Sequence, residues 1–117
     1  MRVSRAKLSE LLDVLGLSEW TVTLRTKRCA SDDCGTAHVR VPYREATITI
    51  YPKAIAETKQ TFPNESAYSV LRHELCEVLM ASHEGMLPGE ILANPQFIAY
   101  QDACADHIAR VLERMGV

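Results

Sequence analysis

The sequence predicts an α+β protein, and three observations carry that prediction. An apolar stripe at helical spacing opens the chain, three short alternating or β-branched runs follow, and two long helical segments close it. The predicted order is α-β-β-β-α-α, and 117 residues fit one domain over 1–117.

The first helix is read from "SRAKLSELLDVLG", where Leu8, Leu11, Leu12 and Leu15 share a face and Gly16 is placed to end it. "WTVTLRTKR" then alternates, with Trp20, Val22 and Leu24 on one side, as a half-buried strand does. "ASDDCG" reads as a turn, and "TAHVRV" as a second strand stopped by Pro42. "EATITIYP" is a third, strongly β-branched strand ended by Pro52. Residues 53–63 read as irregular. Asn64 is placed to cap a helix from about Glu65 to His83, with Gly85 as its terminator and "GMLPGE" as a loop. Asn94-Pro95 starts the last helix, which runs to about Met115.

Composition narrows the function classes. A net charge of −2 with no basic block gives nucleic acid or an acidic membrane nothing to bind. No apolar run approaches the roughly 20 residues that span a bilayer, and "LLDVLGL" is broken by Asp13 and too short for a secretory signal. The cytoplasm is the expected compartment, with Cys29, Cys34, Cys76 and Cys104 as reduced thiols.

The chemistry concentrates in "RHELCEVLM", residues 72–80. At about 100° per residue, Ala67, Val70, Leu71, Leu75, Val78 and Ala81 make one apolar face. Glu74 falls inside that face, where a carboxylate is costly unless it is paired or binds a cation. His73 and Glu77 lie one turn apart at the edge, so both side chains reach a common point. The pattern is His-Glu-x-x-Glu. His73 and Glu77 are candidate metal ligands and Glu74 a candidate general base; the competing reading is an ordinary helix edge with solvated charges.

With "LSEWTVTL", "ATITIY", "SVLRHELCEVLM" and the final helix in this order, the chain resembles the minimal zincin-like metallopeptidases, particularly the small phage-type or prophage-type proteins. The resemblance covers nearly the whole chain in its order of elements and rests in specific residues on 70–80. It implies a zincin-like fold, a divalent metal at the active-site helix (zinc above all) and peptide-bond hydrolysis. It also implies an edge strand that holds extended substrate, for which "ATITIY" is the candidate. Glu77 stands where that family has its second histidine.

A third ligand has three candidates. His83 completes a 0, +4, +10 spacing from His73, but Met80 stands where a turn-making glycine is needed, and on a continuous helix ten residues span about 15 Å. On the last helix Asp102 borders the apolar face read as Phe97, Ile98, Cys104, Ala105, Ile108, Val111 and Leu112. Asp106 lies further out and His107 on the opposite flank. Asp102 is the first choice, with Asp106 and His83 as alternatives. One imidazole with two carboxylates is a harder set than two histidines and a glutamate, so manganese or iron competes better with zinc.

Cys29 and Cys34, placed across a hairpin, lack the second pair a zinc knuckle needs. Cys76 and Cys104 read as small buried hydrophobes, with a cysteine nucleophile as the minor alternative. His38 reads as a surface residue, and Trp20 and Tyr51 as cover for the core. The functional expectation is a metal-dependent peptidase or hydrolase acting on a peptide or protein. The alternative is a catalytically inactive zincin-fold protein that works as a protein-interaction module.

Overall fold

The first helix, α1 (Arg5–Val14), is bounded by local chemistry at both ends. The Ser4 hydroxyl accepts from the Lys7 amide at 3.1 Å, and Gly16 takes the left-handed conformation just beyond the last turn, with φ 72°. Leu11 and Leu15 are buried, and Leu8 and Leu12 pack against them from the edge. The structure is a computed structural model and describes residues 3–84 and 89–117. Over those residues the fold is compact α+β, five helices and one three-stranded sheet.

The strands are β1 (Thr21–Thr26), β2 (Gly35–Arg40) and β3 (Glu45–Ile50), in spatial order β1-β3-β2. β3 is central, parallel to β1 and antiparallel to β2. Its Ala46, Ile48 and Ile50 enter the core, which explains its β-branched composition. This corrects the expectation that "ATITIY" forms the edge. The edges are β1 and β2, and β2 is the one packed against the motif helix. It also corrects the hairpin placed between Cys29 and Cys34. Those residues lie on a connection between two strands that β3 separates, and the hairpin is β2–β3. A 3₁₀ turn at Val41–Tyr43 makes it, with Pro42 inside and Arg44 left-handed after it.

Residues 53–63 are not wholly irregular. A short helix, α2 (Pro52–Thr58), starts with Pro52 in its first turn and buries Ala54 and Ile55. The motif helix, α3 (Ala67–Glu84), is capped by Ser66 rather than Asn64. The Ser66 hydroxyl accepts from the Ser69 amide at 3.1 Å, and the Ser69 hydroxyl accepts from the Ser66 amide at 2.8 Å, a reciprocal box. Gly85 and most of the "GMLPGE" loop lie outside the described residues. After them come α4 (Gly89–Leu92) and α5 (Pro95–Arg114). The Asn94 side chain caps α5 by accepting from the Gln96 and Phe97 amides at 2.9 and 3.2 Å.

Helices α1, α3 and α5 contribute to one core with the inner face of the sheet. Leu71, Leu75, Cys76 and Val78 of α3 are fully buried. On α5 the buried positions are Ala105, Ala109 and Leu112, whereas Ile98 and Val111 are exposed, so the apolar face predicted for this helix is only partly used. The two alanines let α5 approach α3 closely. Trp20 and Tyr51 are half-buried and His38 is exposed, in line with their readings. Among the described residues no helix is long and apolar enough to cross a membrane.

Gly35 is fixed by packing. A Cβ there would stand 2.4 Å from Val70 Cγ1 and 3.3 Å from Glu74 Cγ. Gly35→Ala is therefore expected to cost about 1–3 kcal/mol by pushing β2 off α3, read as a lower urea midpoint with an unchanged slope.

Candidate metal centre

Helix α3 carries the candidate site on the side that faces both β2 and α5. Glu74 sits on the face toward β2, with its side chain against Gly35. His73 and Glu77 lean toward α5. One oxygen of Glu77 lies 3.3 Å from His73 Nε2, and Asp102 Oδ1 approaches the same nitrogen at 3.3 Å. The structure thus brings together the four residues singled out in the sequence: His73, Glu74, Glu77 and Asp102. Ligand atoms of His73, Glu74 and Glu77 lie within 4.8 Å of one another, close enough to hold one metal ion. Asp102 reaches the group from the far helix through His73.

Burial orders the electrostatics. Glu74 is only 5% exposed, and its Oε2 has no hydrogen-bond partner among the described residues. Burial, then the neighbouring Glu77 carboxylate, pushes its pKa up from 4.5 to about 8. His73 is raised from 6.5 to about 9, chiefly by its hydrogen bond to Glu77 and against the effect of burial. Glu77 is lowered, first by that same hydrogen bond. The three groups share protons that a divalent cation would replace. A buried carboxylate oxygen without a donor, beside an imidazole and a second carboxylate, has the chemistry of a metal-binding set.

The other candidates are not brought here. Helix α3 runs unbroken past His83, which is exposed ten residues beyond His73. Asp106 pairs with Arg110 at 3.0 Å, and His107 is exposed. Cys29 is exposed, and Cys34 contacts the Thr58 hydroxyl at 3.2 Å; both are free thiols. Cys76 is fully buried and its pKa is pushed up to about 11, so it remains a protonated core thiol. Cys104 is half-buried and free.

The site opens into a cavity of about 1020 Å³ between α3, α5, β2 and the loop through Phe62. Strand β2 forms one wall. The Tyr51 amide donates to the Cys34 carbonyl at 2.9 Å, which makes that facing pair hydrogen-bonded. By alternation along an antiparallel ladder, Thr36, His38 and Arg40 also bond to β3. Gly35, Ala37 and Val39 then direct their backbone N–H and C=O groups to the open edge, and Gly35 and Ala37 line the cavity beside Glu74.

Sequence reasoning missed three contributors. Asp33 and Gly35 were read only as turn residues, yet both line the cavity. Arg72 is 8% exposed, donates from Nε to the Val117 carbonyl at 3.0 Å, and stacks over the Tyr68 ring at 4.5 Å. The cavity lining and the Arg72 bond to Val117 depend on distant segments and leave no local pattern, whereas the Tyr68–Arg72 pair has helical i, i+4 spacing and a glycine opening a strand is a cue for close backbone approach.

No family model, curated protein or solved structure matches the chain.

Proposed function

We propose that the protein is a small zincin-like metal-dependent hydrolase acting on peptides, with His73, Glu77 and Asp102 as metal ligands and Glu74 as general base. The observation that carries this reading is Glu74: 5% exposed, one oxygen without a partner, and beside His73 and Glu77. A purely structural helix gains nothing from a carboxylate there. A divalent cation held by the set would supply Lewis acidity toward a carbonyl and lower the pKa of water.

The chain's own residues supply the rest. A carboxyl group with a pKa near 8 takes up and returns a proton close to neutral pH, which suits Glu74 to proton transfer. The outward N–H and C=O groups of Gly35 and Ala37 offer an extended peptide a strand to pair with, directly beside Glu74. With one imidazole and two carboxylates, the set accepts manganese or iron as well as zinc. The resemblance to small phage and prophage proteins extends the proposal to the cytoplasm of an infected or lysogenic bacterium.

Glu77 motivates the second reading, a zincin-fold protein without catalysis that acts through protein–protein interaction. Glu77→His separates the two. The hydrolase reading expects zinc affinity to rise at least about 10-fold and cleavage of a casein or mixed-peptide substrate to rise with it. Unchanged metal binding and no cleavage by either protein would favour the interaction module.

A further inference from the structure

Strand β2 runs on past the candidate metal centre. Gly35 and Ala37 line the cavity beside Glu74, and Val39 continues the same open edge. Helix α3 runs beside it. Gly35 stands against Val70 and Glu74, and two turns beyond Glu74, on the same side of the helix, comes Ala81. A second cavity, of about 470 Å³, opens where Val39 and Val41 meet Ala81. Leu92 and Gln101 close its far side, and Gln101 is the chain neighbour of Asp102 in the first cavity. Both cavities therefore lie along one strand edge, between α3 and α5.

The chemistry changes from one to the other. The first is lined by His73, Glu74 and Glu77, whereas no acidic residue lines the second among the described residues. Its walls are the side chains of Val39, Val41, Pro42, Ala81 and Leu92 and the ring of Tyr43, which is 66% exposed. Arg40 is the charged group there, and it is engaged: it lies 4.5 Å over the Tyr43 ring and pairs with Glu45 at 3.4 Å. An apolar side chain entering this cavity releases water from carbon on both surfaces, whereas a charged one gives up its hydration without a free partner.

Spacing selects the occupant. A peptide that adds to the open edge of β2 directs alternate side chains to the α3 side. The residue facing Gly35 points toward Glu74. The residue facing Val39 is four positions further on, about 13 Å along the strand, and points the same way. Along α3, Glu74 and Ala81 are about 10 Å apart. The two spans agree within the width of a side chain, so one extended peptide reaches both cavities.

We propose that the cavity at Val39, Tyr43, Ala81 and Leu92 is a specificity subsite. It takes an aromatic or large aliphatic side chain about four residues from the bond held at Glu74. This rests on the peptide-hydrolase reading given above and names its substrate class: extended peptides with an apolar residue at that distance.

The test uses dye-labelled peptides about 13 residues long, enough to reach Glu74 in either direction from the centre. They differ only at the central residue: phenylalanine, leucine, glycine or aspartate. Fluorescence anisotropy in chelator reads binding with no cleavage. The parent is expected to bind the phenylalanine and leucine peptides at least about 10-fold tighter than the other two. Ala81→Trp fills the cavity and Tyr43→Ser removes its exposed wall; both are expected to lose that preference with an unchanged circular dichroism spectrum. If Ala81→Trp does not fold, Tyr43→Ser decides alone. Val14→Ser, at an exposed apolar position on α1, is expected to keep the preference. With zinc or manganese added, mass spectrometry should place the cut about four residues from the phenylalanine. Equal binding of all four peptides overturns the subsite, as does a preference that survives in folded variants or a cut next to the phenylalanine. A preference lost in the variants, with no cut in either metal, overturns the hydrolase reading and leaves the apolar subsite standing.

Discussion

Glu74→Leu is expected to stabilise the metal-free protein by about 1–3 kcal/mol while removing hydrolysis altogether. The side chain is 5% exposed, lies one turn from the buried Val70 and Val78 on the same helix, and has an oxygen with no donor. Leucine fills a similar volume without a buried oxygen that lacks a donor and without the proton that burial and Glu77 keep on this side chain up to about pH 8. The measurement is a urea titration of parent and variant in chelator, together with a cleavage assay in added metal. The companion Glu74→Gln keeps the shape and loses the proton-accepting oxygen; it should lower kcat about 10²–10⁴-fold while metal remains bound at His73, Glu77 and Asp102. A stability gain coupled to a loss of activity is the signature of a residue kept for chemistry. If Glu74→Leu unfolds the protein instead, the carboxylate is a structural element and its functional reading fails.

Raising the pH is expected to weaken the metal-free fold. His73 holds its proton to about pH 9 in the folded chain, against an ordinary value of 6.5. Its contribution is fully present below about 6.5 and is lost as pH rises through about 9. Glu74 keeps its proton to about pH 8 when folded but to only 4.5 when unfolded, so the folded state loses ground between those values. Glu77 acts in the opposite sense: its lowered pKa adds stability above the usual glutamate range, and that gain is lost in acid. Between pH 6.5 and 8 the first two effects dominate. With His73 partly screened by solvent and its protons shared with Glu77, the expected loss is about 2 kcal/mol, or roughly 5–10 °C in Tm. Saturating zinc should largely abolish the slope, because the cation takes the place of the shared protons. A Tm that rises over this interval in chelator would contradict the proton-sharing arrangement.

What could be read from the sequence follows from how local each signal is. Helix α1 was legible from its leucine spacing and Gly16, and α5 from Asn94-Pro95, because caps and periodicity act within one or two turns. Glu74 was legible for the same reason: its angular position among Val70, Leu71 and Val78 marks it as buried. Asp102 was found from its place at the border of the α5 face, and it does reach His73. The order of the strands was not legible. Pairing of β1 with β3 depends on contacts across 24 positions in register, from Thr21 to Glu45, and three short strands of similar composition do not encode which one is central. Helix α2 was missed because Pro52 was read as the end of a strand, although proline also starts helices. Asn64 and Ser66 both offer cap chemistry, and the reciprocal bonds to Ser69 decide for Ser66. Asp33 and Gly35 acquire meaning only when β2 meets α3.

The central claim is that α3 carries a divalent metal at His73. The most direct measurement is the metal content of the protein purified without a histidine tag, by elemental mass spectrometry, beside the same preparation of His73→Ala. The account predicts at least about one divalent ion per chain in the parent and its loss in His73→Ala, with the variant still folded by circular dichroism. A parent protein that carries no ion and takes up none on dialysis against zinc or manganese would contradict it.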